Sequence, residues 1–195
     1  MSEETSTNVY HGSCHCGDVQ YQLRLTLPPS SDPDPFVEAV RIYKCNCTTC
    51  QKMGMFHCRP INSYRHFILT SPATIDELGD YRAFSGKIGW YFCKKCGCRT
   101  FGMGGVWVQE EVDVDKWAGR EGEGNVQKVW RSKPHESASS ITGKPLHYVS
   151  VNAVTLEGVD LKEWYDKKWI FYAENRERKN GTQIRLSDPY EGGCY

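Results

Sequence analysis

Seven of the ten cysteines in this 195-residue chain fall into three tight clusters, and their spacing limits what the chain can fold around. The clusters are Cys14-His15-Cys16, Cys45-Asn46-Cys47-Thr48-Thr49-Cys50 and Cys93-Lys94-Lys95-Cys96. Thiols separated by one or two residues converge readily on a single tetrahedral ion, with Zn–S distances of about 2.3 Å. They pair poorly with each other in an unstrained disulfide. Seven ligands divide into four plus three, which predicts one closed site and one site with an open corner.

Local chain geometry says how they divide. Cys93-Lys94-Lys95-Cys96-Gly97 reads as a knuckle between strands, with Gly97 supplying the positive φ of a tight return. Cys14 and Cys16 supply the second pair, so Cys14, Cys16, Cys93 and Cys96 are expected to hold a structural zinc that contributes folding free energy. Cys45, Cys47 and Cys50 remain, three thiolates within six residues, and leave the fourth zinc position for water or an exogenous ligand. Three thiolates on Zn²⁺ leave a net charge of about minus one, a weak Lewis acid for water chemistry. A further thiol at such a centre would be deprotonated yet loosely held. The pattern therefore favours sulfur chemistry. Lys44, Lys52 and Arg59 flank the cluster and read as solvated.

Charge excludes several functions. With 24 basic and 24 acidic residues, nothing points to nucleic acid or an anionic membrane surface. No apolar run approaches the roughly 18–20 residues of a membrane span. The first eight residues are polar and acidic, unlike a secretory leader, so a cytoplasmic chain with reduced thiols is expected. On that reading the Asn46-Cys47-Thr48 and Asn180-Gly181-Thr182 patterns do not act as glycosylation sites.

Most of the chain reads as strand. Residues 19–25 alternate apolar and polar with period two, and 36–44, 66–70, 88–92, 100–103 and 148–154 are short runs rich in aromatic and β-branched residues. The best helix runs from 161 to about 171, with Asp160 as its N-cap. The expected fold is mainly β: several small antiparallel sheets around two zinc sites, with few helices. One domain over 9–173 is expected, with insertions near 28–35 and 109–147 and polar tails at 1–8 and 174–195. The first insertion is a proline-rich surface loop. The second reads equally as a functional lid or a loose surface excursion.

Three motifs together carry a resemblance: Gly12-Ser13-Cys14-His15-Cys16-Gly17-Asp18-Val19, the Cys45-x-Cys47-x-x-Cys50-Gln51-Lys52-x-Gly54 run, and Phe92-Cys93-x-x-Cys96-Gly97. They resemble the glutathione-dependent formaldehyde-activating enzyme and centromere protein V family, and Val151-Asn152-x-x-x-Leu156-Glu157-Gly158-Val159-Asp160 looks like its closing segment. The resemblance covers roughly residues 9–104 and 148–165. It implies a β-rich fold similar to that of Rab exchange-factor accessory proteins, with a structural zinc held by Cys14, Cys16, Cys93 and Cys96 and a catalytic zinc held by Cys45, Cys47 and Cys50. It also implies a carbon–sulfur lyase adding glutathione, as cosubstrate, to formaldehyde. The partners implied are a small-molecule thiol and an electrophile, with self-association left open.

Some residues depart from that pattern. Cys98 follows Gly97 where the family more often has a small hydroxyl or amide residue, so Cys93/Cys98 and Cys96/Cys98 stand as alternatives to the Cys93/Cys96 pair that the knuckle favours. Cys58 reads as a buried small side chain, with a resolving thiol as the alternative. His15 reads as a spacer between ligands, and His57 and His66 as surface or core histidines before proton shuttles. Trp90, Tyr91 and Trp107 read as core, Lys94 and Lys95 as solvent-facing, and Cys194 as a bystander. The two loops suit a substrate larger than formaldehyde, such as a bulkier thiol or disulfide metabolite. The competing function is a non-catalytic zinc-binding module for protein interaction.

Overall fold

A computed structural model of the chain describes residues 4–34, 37–122, 124–139, 145–177, 183–186 and 188–193. Along the chain run β1 (Ser6–Ser13), β2 (Gln20–Leu27), β3 (Arg41–Cys45), helix α1 (Thr48–Met53), β4 (Phe56–Arg59), β5 (Phe67–Ser71), β6 (Leu78–Arg82) and β7 (Gly89–Cys93). There follow β8 (Arg99–Gly104), β9 (Val106–Asp113), helix α2 (Val114–Trp117), β10 (Val126–Lys133), β11 (His135–Ser139) and β12 (Pro145–Leu146). The chain continues with β13 (Tyr148–Asn152), helix α3 (Leu161–Asp166), β14 (Ile170–Glu174) and β15 (Gln183–Arg185).

These strands make a five-stranded sheet, β1-β2-β5-β10-β9, an eight-stranded sheet, β15-β14-β3-β4-β13-β8-β7-β6, and the small β11-β12 pair. Among the described residues the strand pairings are antiparallel except β14 with β3. The period-two pattern of β2 does what it predicts: Tyr21, Leu23, Leu25 and Leu27 all point inward and are buried. They meet Phe67 of β5 and Phe101 of β8, with ring centroids 5.7 Å apart for Tyr21–Phe67 and 5.3 Å for Phe67–Phe101. Tyr91 and Trp107 extend this aromatic cluster, which joins the two large sheets.

Two segments differ from the sequence expectation. The described residues at the start of the 109–147 stretch are ordered sheet rather than a loose excursion: β9 and β10 form a long hairpin, paired from Asp113–Val126 to Val106–Lys133. Its tip folds as α2, and Val114, Trp117 and Val129 pack on Ile68 as a second apolar layer outside the sheet. Neither strand alternates apolar and polar in sequence, Val-Trp-Val-Gln-Glu-Glu-Val-Asp in β9 and Val-Gln-Lys-Val-Trp-Arg-Ser-Lys in β10, so period two does not mark them. The helix expected over 161–171 stops at Asp166, although Asp160 caps it as foreseen by accepting from the amides of Lys162 and Glu163. Ile170 and Phe171 leave it for β14, where pairing with β3 overrides local helical preference. The strand expected over 36–44 begins at Arg41, and Phe36 and Cys194 lie outside the described residues.

Candidate functional site

The first cysteine cluster is assembled from two turns in different sheets. In the β1–β2 connection the Cys14 amide donates to Val19 O, the Gly17 amide donates to Cys14 O, and the Val19 amide reaches Cys14 Sγ at 3.3 Å. Between β7 and β8, the Gly97 amide donates to Cys93 O at 2.8 Å, and Gly97 holds φ at +72° as the tight return requires. The turns bring the sulfurs of Cys14, Cys16, Cys93 and Cys96 within 4.8 Å of one another. Cys14–Cys16 and Cys16–Cys93 are each 3.6 Å apart. Four sulfurs at about 2.3 Å from a tetrahedral zinc stand about 3.8 Å from each other, so this donor set fits the ion. Cys98 is outside the set; its carbonyl instead closes the knuckle on the Cys93 amide.

The second cluster lies at the end of β3. Cys45 is the last residue of that strand, Cys47 caps α1 by accepting from the Cys50 amide, and Cys50 lies within the helix. A six-residue helix delivers Cys50 back toward its two predecessors, and Gly54 ends it with φ +62°. The three sulfurs lie within 4.8 Å of one another, and among the described residues no fourth Cys, His, Asp or Glu donor joins them. Cys45 and Cys50 are buried while Cys47 is partly exposed, so the trio has one accessible side. Met53, Ala83, Ile88, Trp90 and Ile184 supply apolar surroundings. Contacts with the sulfurs of Cys45 and Cys50 hold the Cys47 thiol far below its ordinary range, and the same contacts raise the other two.

Behind this trio stands a buried histidine. His57 Nε2 lies 3.1 Å from Cys50 Sγ, and its Nδ1 is 2.9 Å from Ser150 Oγ and 3.4 Å from the Tyr148 hydroxyl. Tyr43 stacks on the imidazole at 4.4 Å with planes 6° apart, and the Trp90 ring meets it edge-on. Burial, reinforced by Arg59, pushes the His57 pKa down to about 3, so the ring is neutral at pH 7.

The remaining residues singled out by sequence fall as follows. Cys58 is fully buried in the main core, outside both groups of sulfurs, and burial raises its thiol. His15 is exposed and His66 half-buried. Lys52 is exposed, but Lys44 and Arg59 lie over the rings of Phe56 and Tyr148, each at 4.9 Å. Lys94 and Lys95 are exposed, Lys95 pairing with Asp18. Tyr91 is core as expected, while Trp90 belongs to the second cluster's surroundings.

Sequence reasoning missed the residues that follow β14. Asn46, only 2% exposed, accepts through Oδ1 from the amides of Asn175 and Arg176, and its Nδ2 donates to Glu174. This clasp sets Asn175 so that Nδ2 donates to Cys45 Sγ. The one available signal was Asn46 itself, a polar residue flanked by two ligand cysteines and discarded as a glycosylation pattern.

A solved structure of a Rhodobacter sphaeroides protein is 18% identical, with a TM-score of 0.44, covering 78% of this chain and 93% of that one. No curated protein matches this chain. Residues 9–115, more than half of the chain and spanning both cysteine clusters, match the glutathione-dependent formaldehyde-activating enzyme family, and the chain belongs to that family.

Proposed function

We propose that this chain is a zinc-thiolate enzyme of the carbon–sulfur lyase type. It binds a thiol such as glutathione beside Cys45, Cys47 and Cys50 and adds it to, or releases it from, a small electrophile such as formaldehyde. A larger thiol or disulfide metabolite is a substrate of the same class. The observation that carries this reading is the contrast between the clusters: four sulfurs gathered in one, three and no fourth donor among the described residues in the other.

In this reading each chain holds about two zinc ions, a structural one at Cys14, Cys16, Cys93 and Cys96 and a catalytic one at Cys45, Cys47 and Cys50. Zinc, when bound, supplies a centre that draws a thiol toward its deprotonated form. The chain's own residues do the rest. Cys47 marks the accessible side, while Met53, Ala83 and Ile88 limit water around an incoming carbonyl group. In the addition, the thiol sulfur bonds to the carbonyl carbon, the C=O π pair moves to oxygen, and the thiol proton ends on that oxygen. No oxidant or reductant is required. The reduced thiols this chemistry needs suit a cytoplasmic protein.

Mass spectrometry of the metal-loaded protein with glutathione and a panel of aldehydes and disulfides tests the reading. Adduct formation faster than the spontaneous rate, abolished by chelator, is the expected result. Rates indistinguishable from the protein-free control across the panel would leave the chain a zinc-binding interaction module.

A further inference from the structure

We propose that His57 is a positioning residue of the three-sulfur centre, donating Nε2–H to Cys50 Sγ while Ser150 and Tyr148 fix Nδ1 as the acceptor. The argument begins with geometry. The imidazole is fully buried between Tyr43 and Trp90, so it cannot rotate to choose other partners. Its two nitrogens face different chemistries: among the described residues Nε2 meets the sulfur, at 3.1 Å, whereas Nδ1 meets a hydroxyl cluster.

That hydroxyl cluster decides the tautomer. Tyr43 and Tyr148 hydroxyls are 3.1 Å apart, and Ser150 Oγ and the Tyr148 hydroxyl both lie within reach of Nδ1. Serine and tyrosine hydroxyls ordinarily carry their protons at neutral pH. Three hydroxyl protons gathered beside the ring call for an acceptor, and the Nδ1 lone pair is one. An Nδ1 that accepts carries no proton, which leaves the ring proton on Nε2, aimed at Cys50.

A thiolate ligand of a metal is the acceptor that suits this donor. His57 Nε2 is close to Cys50 Sγ yet outside the set of donors that lie mutually within 4.8 Å, which is where a residue acting through a ligand belongs. Each sulfur of the trio then receives an N–H: Cys45 from Asn175 and the Cys47 amide, Cys47 from the Cys50 amide, and Cys50 from His57. Such bonds spread the negative charge of three thiolates and fix their directions. The inference shares with the proposed function only the assignment of Cys45, Cys47 and Cys50 as metal ligands; it requires no particular reaction.

The test is made on the full zinc-loaded chain. ¹⁵N NMR of the histidine side chains should show His57 protonated at Nε2 and unprotonated at Nδ1; the opposite tautomer overturns the proposal without any mutation. Chelator competition then compares His57→Leu, which fills the space without a donor, with His57→Gln, which restores a side-chain N–H. The Leu variant should bind metal at the three-sulfur site about 10–100-fold more weakly, with the four-sulfur site unchanged in the same titration, and the Gln variant should recover part of the loss. Cobalt loading should shift the sulfur charge-transfer band in the Leu variant. Wild-type affinity and an unshifted band in that variant would refute the role. If the Leu variant does not fold, the tautomer decides. The predicted tautomer in a protein with no carbon–sulfur activity removes the proposed function alone, whereas activity with the opposite tautomer removes this inference alone.

Discussion

Asn175 Nδ2 lies 3.4 Å from Cys45 Sγ although 130 residues separate them in sequence. The contact exists because β14 runs parallel to β3 and Asn46 then grips the next turn through three hydrogen bonds to Glu174, Asn175 and Arg176. Asn46→Ala should therefore loosen the second cluster as well as the fold. A stability loss of about 1–3 kcal/mol in urea is expected, from buried groups left without partners. Metal affinity at the three-sulfur site should fall with it. An affinity unchanged in a destabilised variant would show that the clasp and the cluster are independent.

Cys47→Ser and Cys93→Ser should have different consequences, since one sulfur lies at the accessible edge of a trio and the other joins two sheets. Cys47→Ser should abolish catalysis, leave the circular dichroism spectrum intact and reduce the metal content from about two zinc ions to about one. Cys93→Ser removes a ligand from the cluster that ties the β1–β2 turn to the β7–β8 turn, and the chain should fail to fold. A soluble, folded Cys93→Ser protein that keeps both metals would contradict the division into structural and catalytic sites.

How far the sequence could be read depended on how local each signal was. The cysteine spacings and Gly97 are local, so the seven sulfurs and their grouping were legible, as were the inward side chains of β2. The helix α1 was not, because six residues make too short a period to register beside the cysteine pattern. His57 and Ser150, 93 positions apart, meet only because β4 and β13 pair at Cys58–Val151, and no spacing in the chain announces that. Asn175 and β15 were hidden for the same reason: a polar stretch reads as a tail until a parallel strand brings it to the site.

Gly12 shows how tightly the first motif is packed. A Cβ at this position would come 2.2 Å from the ring of Tyr21, which is buried and hydrogen-bonded to Thr155 at 2.7 Å. The ring has nowhere to move within the aromatic cluster. Gly12→Ala should cost about 1–3 kcal/mol, typical of overpacking, measured by chemical denaturation. A neutral substitution would mean that the β1–β2 hairpin shifts freely against the core.

The β9–β10 hairpin carries a test of pH dependence away from the cysteines. Partial burial alone would raise the Glu110 carboxyl, but hydrogen bonds from Lys133, Tyr64 and Arg131 outweigh it and hold its pKa below the usual carboxylate range. A lowered folded pKa means that the stabilisation is present above the unfolded value, about 4.3, and is lost as pH falls through the folded one. Glu110→Gln should thus be less stable than the parent at pH 7, by at most about 1 kcal/mol for this part-exposed network. The difference should shrink toward zero as the pH drops below about 4 and also in high salt. A gap that widens on acidification would reverse the sign and refute the pairing.

The turn between β6 and β7 holds Phe84 at φ +51° with 85% of its surface exposed. A bulky side chain in the left-handed region costs about 1–2 kcal/mol, and this one buries almost nothing in return. Its neighbour Ala83 and the nearby Ile88 pack against the layer that contains Cys45 and Cys50, so the turn that carries Phe84 lies beside that layer. Replacement by glycine relieves the backbone but adds about 0.5–1 kcal/mol of unfolded-state entropy. Phe84→Gly should therefore leave stability unchanged or raise it by up to about 1 kcal/mol. If the ring covers an electrophile bound beside Cys47, the same variant should raise KM for bulky apolar substrates more than for formaldehyde, with kcat little altered. Denaturation curves and a KM series over aldehydes of increasing size measure both. Equal KM changes across the series would mean that Phe84 has no part in substrate choice.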